Sequence, residues 1–175
     1  MPSPVGHGLA AIAAGWMAAR PAATAGERWT QSAILAAAGA APDLDLLIGQ
    51  HSGVVHSIGA AAIVASAAAA MRWPVARTRA LIWTSIFAAW VSHPLLDALG
   101  EDSSSPIGVM ALWPSTKRYF HSDLNVFSSI YRNWRAPGII THNAAAIARE
   151  LAILLPMVLL VWLVRRRRRN QAGYE

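Results

Sequence analysis

The chain contains no cysteine. That excludes a disulfide framework and any thiolate site, whether a metal centre or a nucleophile. Charge is scarce: 14% of the 175 residues are Asp, Glu, Lys or Arg, against about 25% in an ordinary soluble domain. A disordered chain would carry more charge and fewer apolar residues than the 55% found here. No Lys or Arg precedes the first apolar segment, so the basic start of a secretory signal is missing. Ser104 and Ser105 have no G-x-S-x-G elbow around them. There is no H-E-x-x-H pair, phosphate-cradling glycine loop, dinucleotide fingerprint or internal repeat.

Alanine fills the space these absences leave, at 36 positions. The net charge of +6 is concentrated in one run of five arginines, Arg165–Arg169; without them it is +1. A nucleic-acid binder would spread its basic residues over a face. A run placed directly after an apolar stretch reads instead as a cytoplasmic anchor, and no nucleic-acid partner is expected.

The length implies one domain. Five apolar segments stand out: Val5–Ala19, Trp29–Ile48, Val54–Met71, Ala80–Leu99 and Ala144–Val164. A membrane-crossing helix needs about 17–25 residues. The second, fourth and fifth segments meet this, the third does so counted from Val54, and the first suits a re-entrant or interfacial helix. Alanine favours helix, and no long stretch alternates with period two. The expectation is an all-α fold: a membrane-embedded bundle of four to five apolar helices at 1–164, followed by a basic cytoplasmic tail at 165–175. The competitor is a soluble alanine-rich bundle. Leu151–Val164, with no polar group but the Trp162 indole, argues against it. The tryptophans near segment ends read as an aromatic belt.

If the segments cross one layer, their ends sort onto two sides. One side receives Arg20, Arg28, Arg72, Arg77, Arg79 and Arg165–Arg169, ten basic residues. The other receives Lys117, Arg118, Arg132, Arg135 and Arg149. The first is therefore expected to be cytoplasmic. All six histidines and all five aspartates fall on the other side. These are His7, His51, His56, His93, His121 and His142, with Asp43, Asp45, Asp97, Asp102 and Asp123.

His and Asp are the ligands expected for zinc and similar divalent metals where cysteine is absent. Ionisable groups at membrane depth are costly and so mark functional sites. Asp43 and Asp45 end an apolar helix, where the dipole disfavours negative charge and a cation would relieve the penalty. Pro42 is expected to break that helix, pushing the residue before it out of the α region. His93-Pro-Leu-Leu-Asp97 has the i, i+4 spacing that places both side chains on one helical face. Pro94 there requires a kink or a fresh helix start. His56, leading into the third segment, is favoured over His51. His121 and His142 read as interfacial histidines. Each piece alone has a bland reading: a core histidine, a solvated linker, an interfacial residue. Their convergence at one end of a helical bundle carries the metal reading.

Together the pieces resemble the YdjM-like family of membrane-bound, metal-dependent hydrolases. They are His7, Pro42-Asp43-Leu44-Asp45, His51-Ser52-Gly53-Val54-Val55-His56-Ser57, His93-Pro94-Leu95-Leu96-Asp97, Pro106, Gly108 and Leu112-Trp113-Pro114, spread over residues 5 to 118. The family has Arg and Thr where this chain has Ser52 and Val55. It is in turn similar to the zinc-dependent phospholipase C and P1 nuclease superfamily, which is all-helical. The resemblance implies one metal held by Asp43, His56 and His93. Asp97 would bridge to a second metal, helped by His7, and Asp45 would be a ligand or a support for one. Position 103 is serine, and neither His121 nor His142 has a carboxylate four residues on. The expectation is therefore one or two metals, zinc first among them.

The expected function is a membrane-bound, metal-dependent hydrolase, with Asp45 and Asp97 at the chemistry and its active site on the non-cytoplasmic side. Its substrate would be an ester or phosphoester, a lipid among the options, met by the aromatic and basic stretch Gly100–His142. The alternative is a non-catalytic membrane protein using the same cluster for metal binding, transport or support. A small membrane scaffold without metal is the third reading.

Overall fold

The computed structural model describes residues 1–19, 24–48, 52–103 and 105–172. Arg20, His51 and Ser104 lie outside them. Five α-helices follow in order: α1 (Pro4–Ala18), α2 (Ala25–Ala40), α3 (Ile58–Ala70), α4 (Arg79–Leu99) and α5 (Ile139–Ala172). Two 3₁₀ stretches, Ala41–Ile48 and Val54–His56, lie between α2 and α3. No strand occurs among the described residues. Two isolated bridges, Gly100 to Phe127 and Val109 to Phe120, fasten the long connection before α5.

Local chemistry sets the helix starts. Ser3 caps α1 by accepting from the Gly6 N–H, and a proline sits in the first turn. Thr24 and Glu27 form a reciprocal capping box on α2. The Ser57 and Thr78 side chains cap α3 and α4. Small side chains then let the helices close on one another. Ala11, Leu35, Ala65, Ala68, Ile86 and Ala89 form the centre of the main core, all fully buried. A second cluster, Ala10, Leu96, Phe127 and Leu154, ties α5 and the long connection to α1 and α4.

The apolar segments do not become four or five long spans. Among the described residues only Ile139–Asn170, 32 residues within α5, is both long and apolar enough to cross a membrane. Helices α1 and α3 have 15 and 13 residues, short of the roughly 17 that a crossing requires. Trp29–Ile48 divides into α2 and a 3₁₀ stretch, and the manner differs from the expectation. Ala41, before Pro42, keeps right-handed helical angles (φ −61°, ψ −34°). The missing Pro42 N–H removes one α-helical hydrogen bond, and the chain tightens without leaving the helical region. Nor does Pro94 restart a helix: α4 runs through it, forgoing the bond to the Trp90 carbonyl.

Helix α5 also continues without a break past Val164 through the arginine run. Arg165 is buried, at 8% exposure. It donates to the carbonyls of Trp16 and Ala19 at the end of α1 and to Gln31 Oε1 of α2. A cation there suits the negative end of the α1 dipole. Glu150 meets Ser3 at the opposite end of α1, so α5 lies alongside α1 in the same direction.

Candidate metal centre

The start of α1, the chain leaving α2, the chain entering α3 and the last turns of α4 meet at one end of the bundle. They bring together His7, Asp43, Asp45, His56, His93 and Asp97. His7, His56 and His93 have no exposed surface, and Asp97 retains 1%. The rings of His7 and His93 stack with centroids 3.7 Å apart, and His56 meets His93 edge-on at 4.7 Å. His121 and His142 lie elsewhere: His121 contacts Asp123 and the Gly100 carbonyl, and His142 contacts the Ser129 carbonyl and stacks on Tyr131.

Around His93, the cluster presents acceptors to acceptors. The His93 Nδ1–H donates to the Gly39 carbonyl at 2.6 Å. That fixes the neutral tautomer and leaves the Nε2 lone pair pointing inward. His93 Nε2 then lies 3.0 Å from Asp97 Oδ2 and 3.7 Å from Asp43 Oδ1. His56 Nε2 lies 3.7 Å from the same Asp97 oxygen and 3.9 Å from the same Asp43 oxygen. The other Asp97 oxygen faces His7 Nε2 at 3.3 Å. His93 Nε2, Asp43 Oδ1, both Asp97 oxygens and both His7 nitrogens make no hydrogen bond. Buried polar atoms are normally satisfied, and leaving one unmade costs about 1–3 kcal/mol, more where charge is involved.

A divalent cation would fit this arrangement. Ligands held about 2.1 Å from a tetrahedral centre stand roughly 3.4 Å apart. The separations among His56 Nε2, His93 Nε2, Asp43 Oδ1 and Asp97 Oδ2 given above, 3.0–3.9 Å, bracket that value. Two groups have ligand atoms mutually within 4.8 Å: His7, Asp43 and His93, and His56, His93 and Asp97. They share His93. Asp45 occupies a different position: its Oδ2 lies 3.3 Å from His56 Nδ1, on the side of the ring away from the other carboxylates.

Burial raises the pKa of Asp43, but the neighbouring His56, His93 and His7 outweigh it and hold the carboxyl below the ordinary range. Burial likewise pushes Asp97 up, and the neighbouring His93 and His7 hold it well below. Both carboxylates therefore favour the anionic form, the form that binds metal.

Gly39 was not evident from the sequence. It holds His93 through a backbone carbonyl, which leaves no side-chain signature. It also lies where α1 packs tightly on α2: an added Cβ would lie 2.2 Å from Ala11 Cβ and 2.8 Å from the His7 carbonyl oxygen. Gly39→Ala is expected to cost about 1–3 kcal/mol through overpacking and to weaken metal binding about 10–100-fold by moving the carbonyl that supports His93. Unfolding and metal titration of that variant check both; unchanged metal affinity would show that the contact does not orient the ring.

Fold and site together describe an all-helical membrane protein with a buried histidine–aspartate cluster able to hold metal. The chain belongs to the YdjM inner membrane protein family, whose model matches residues 1–171. No curated protein and no solved structure matches it.

Proposed function

We propose that the protein is a membrane-bound, metal-dependent hydrolase of an ester or phosphoester. The observation that carries the reading is the set of buried histidine and aspartate ligand atoms converging from four parts of the chain. Asp43, His56, His93 and Asp97 would hold a divalent ion, zinc by the chemistry of the donors. His7, facing the second Asp97 oxygen, would serve a second ion. When bound, such an ion supplies Lewis acidity and makes water acidic enough to attack near neutral pH. Asp45 orients His56 through Nδ1 and leaves Nε2 directed at the centre. Asp97 presents its two oxygens to different imidazoles, so one carboxylate spans both halves of the cluster. The Asp43 side chain keeps 17% exposure, and on its side substrate and water would enter.

Deep burial of the three imidazoles gives the non-catalytic reading its support, because a structural site is closed whereas a catalytic one keeps an open position. A panel of phosphodiester, phosphomonoester and lipid-ester substrates separates the two. Hydrolysis is expected, lost on chelation and restored by adding back metal. Retained metal with no turnover across the panel would favour metal binding or transport. Acidification is expected to weaken metal binding, because protons compete for the same imidazole lone pairs. Binding that strengthens as pH falls would contradict imidazole ligation.

A further inference from the structure

A second feature lies at the other end of α1, nine residues and roughly 14 Å along the helix from His7. There a cavity of about 340 Å³ opens between α1, α2 and α5, lined by Trp16, Arg28, Gln31, Trp162, Arg165, Arg166 and Arg169. Its volume falls within the range of about 300–1,000 Å³ usual for small-ligand sites. Four of the seven lining residues are arginines and none is acidic. Among the described residues, no carboxylate pairs with Arg28, Arg166 or Arg169.

The cavity is built, not a loose fringe of charge. Arg165 is its buried wall, locked by the Trp16 and Ala19 carbonyls and by Gln31 Oε1, and it lies over the Trp16 ring at 5.4 Å. Arg166 is steadied over the Trp162 ring at 5.4 Å. Arg28 reaches the same space from α2, so the charge converges from two helices. A guanidinium fork matches phosphate oxygens in pairs. The cavity also sits where the apolar stretch of α5 gives way to arginine, with tryptophan at the boundary, the position of a membrane interface. Basic pockets between helices at that level hold lipid headgroups.

We propose that this cavity is a phosphate-anion site, filled in the membrane by an anionic phospholipid headgroup. Arg28, Arg166 and Arg169 bind the phosphate, and Arg165 shapes the wall behind them. The site is independent of the metal centre, and neither proposal requires the other.

Thermal unfolding of the full chain in a neutral detergent tests it, with phosphatidylglycerol, phosphatidylcholine or inorganic phosphate added separately. Phosphatidylglycerol at about ten times its dissociation constant is expected to raise the midpoint by about 3–6 °C, and phosphatidylcholine to leave it unchanged. The variant Arg28→Gln/Arg166→Gln/Arg169→Gln should lose the rise. The charge-matched variant Arg72→Gln/Arg77→Gln/Arg79→Gln, altered in the α3–α4 connection and at the first residue of α4, should keep it. Should the triple cavity variant fail to fold, Arg166→Gln/Arg169→Gln, both on exposed helix surface, carries the same expectation. Equal rises in wild type and cavity variants, or loss in the charge-matched control, would overturn the site. A full rise with inorganic phosphate alone would overturn the lipid assignment.

Discussion

Replacing His93 by alanine is expected to strip the protein of metal and of the hydrolysis proposed for it. His93 is the residue both ligand groups share, so its loss removes one ligand from each. Its Nε2 is the atom closest to Asp97, at 3.0 Å. Losing a partner that merely supports a ligand costs about 10–100-fold in metal affinity. Loss of the ligand itself should exceed that, leaving less than about a tenth of the wild-type metal after dialysis. Two variants frame the result. His121→Ala, whose ring contacts Asp123 and Gly100 outside the cluster, should retain metal and activity. Asp97→Ala should lose both, since Asp97 faces His7, His56 and His93 at once. A His93→Ala protein that folds and keeps its full metal content would remove the centre as drawn.

Glu150→Ala is expected to produce the largest loss of stability, about 2–5 kcal/mol, because it removes two charge-assisted hydrogen bonds and leaves two buried donors unsatisfied at about 1–3 kcal/mol each. Glu150 has no exposed surface. It accepts from the Ser3 backbone N–H at 2.6 Å and from the Ser3 hydroxyl. Ser3 in turn caps α1, and His7 lies one turn further on. The carboxylate also sits at the positive end of α1, where the dipole favours it. Truncation leaves buried donors without a partner and frees the start of the helix that carries His7. Glu150→Gln preserves shape and one acceptor, so it should recover much of the loss. Chemical denaturation of the three proteins tests the ordering wild type, Gln, Ala. Equal stability of wild type and Glu150→Ala would show that the tie contributes nothing.

Much of the candidate centre was legible because helix ends alternate. By their apolar segments, His7, Asp43, Asp45, His56, His93 and Asp97 all belong to one end, and the structure joins these six in one cluster, Asp45 through His56. The i, i+4 spacing of His93 and Asp97 survives because α4 passes through Pro94. Two other things were harder to read. Alanine suits a tightly packed helix pair as well as it suits lipid, so hydropathy ran Trp29–Ile48 together where the chain changes to 3₁₀ at Ala41. Partners that act through backbone groups, such as Gly39 and the carbonyls held by Arg165, have no pattern to find. Glu150 did leave a signal: it is an acidic residue directly before the apolar run Leu151–Val164. Arg165 looked like the first residue of a charged tail, yet it is the one arginine of its run that is buried.

The cluster gathers three imidazoles and three carboxylates, a donor set that could hold a divalent cation. Without one, the His93 Nε2 lone pair is buried facing the Asp43 and Asp97 oxygens, a cost that buried groups ordinarily avoid. Elemental analysis of the wild-type protein, extracted in mild detergent without chelator, addresses this directly. At least about one equivalent of a divalent metal per chain is expected, because a buried site of this kind retains its ion through purification. Less than about a tenth of an equivalent, persisting after incubation with excess zinc and removal of the unbound ion, would contradict the account.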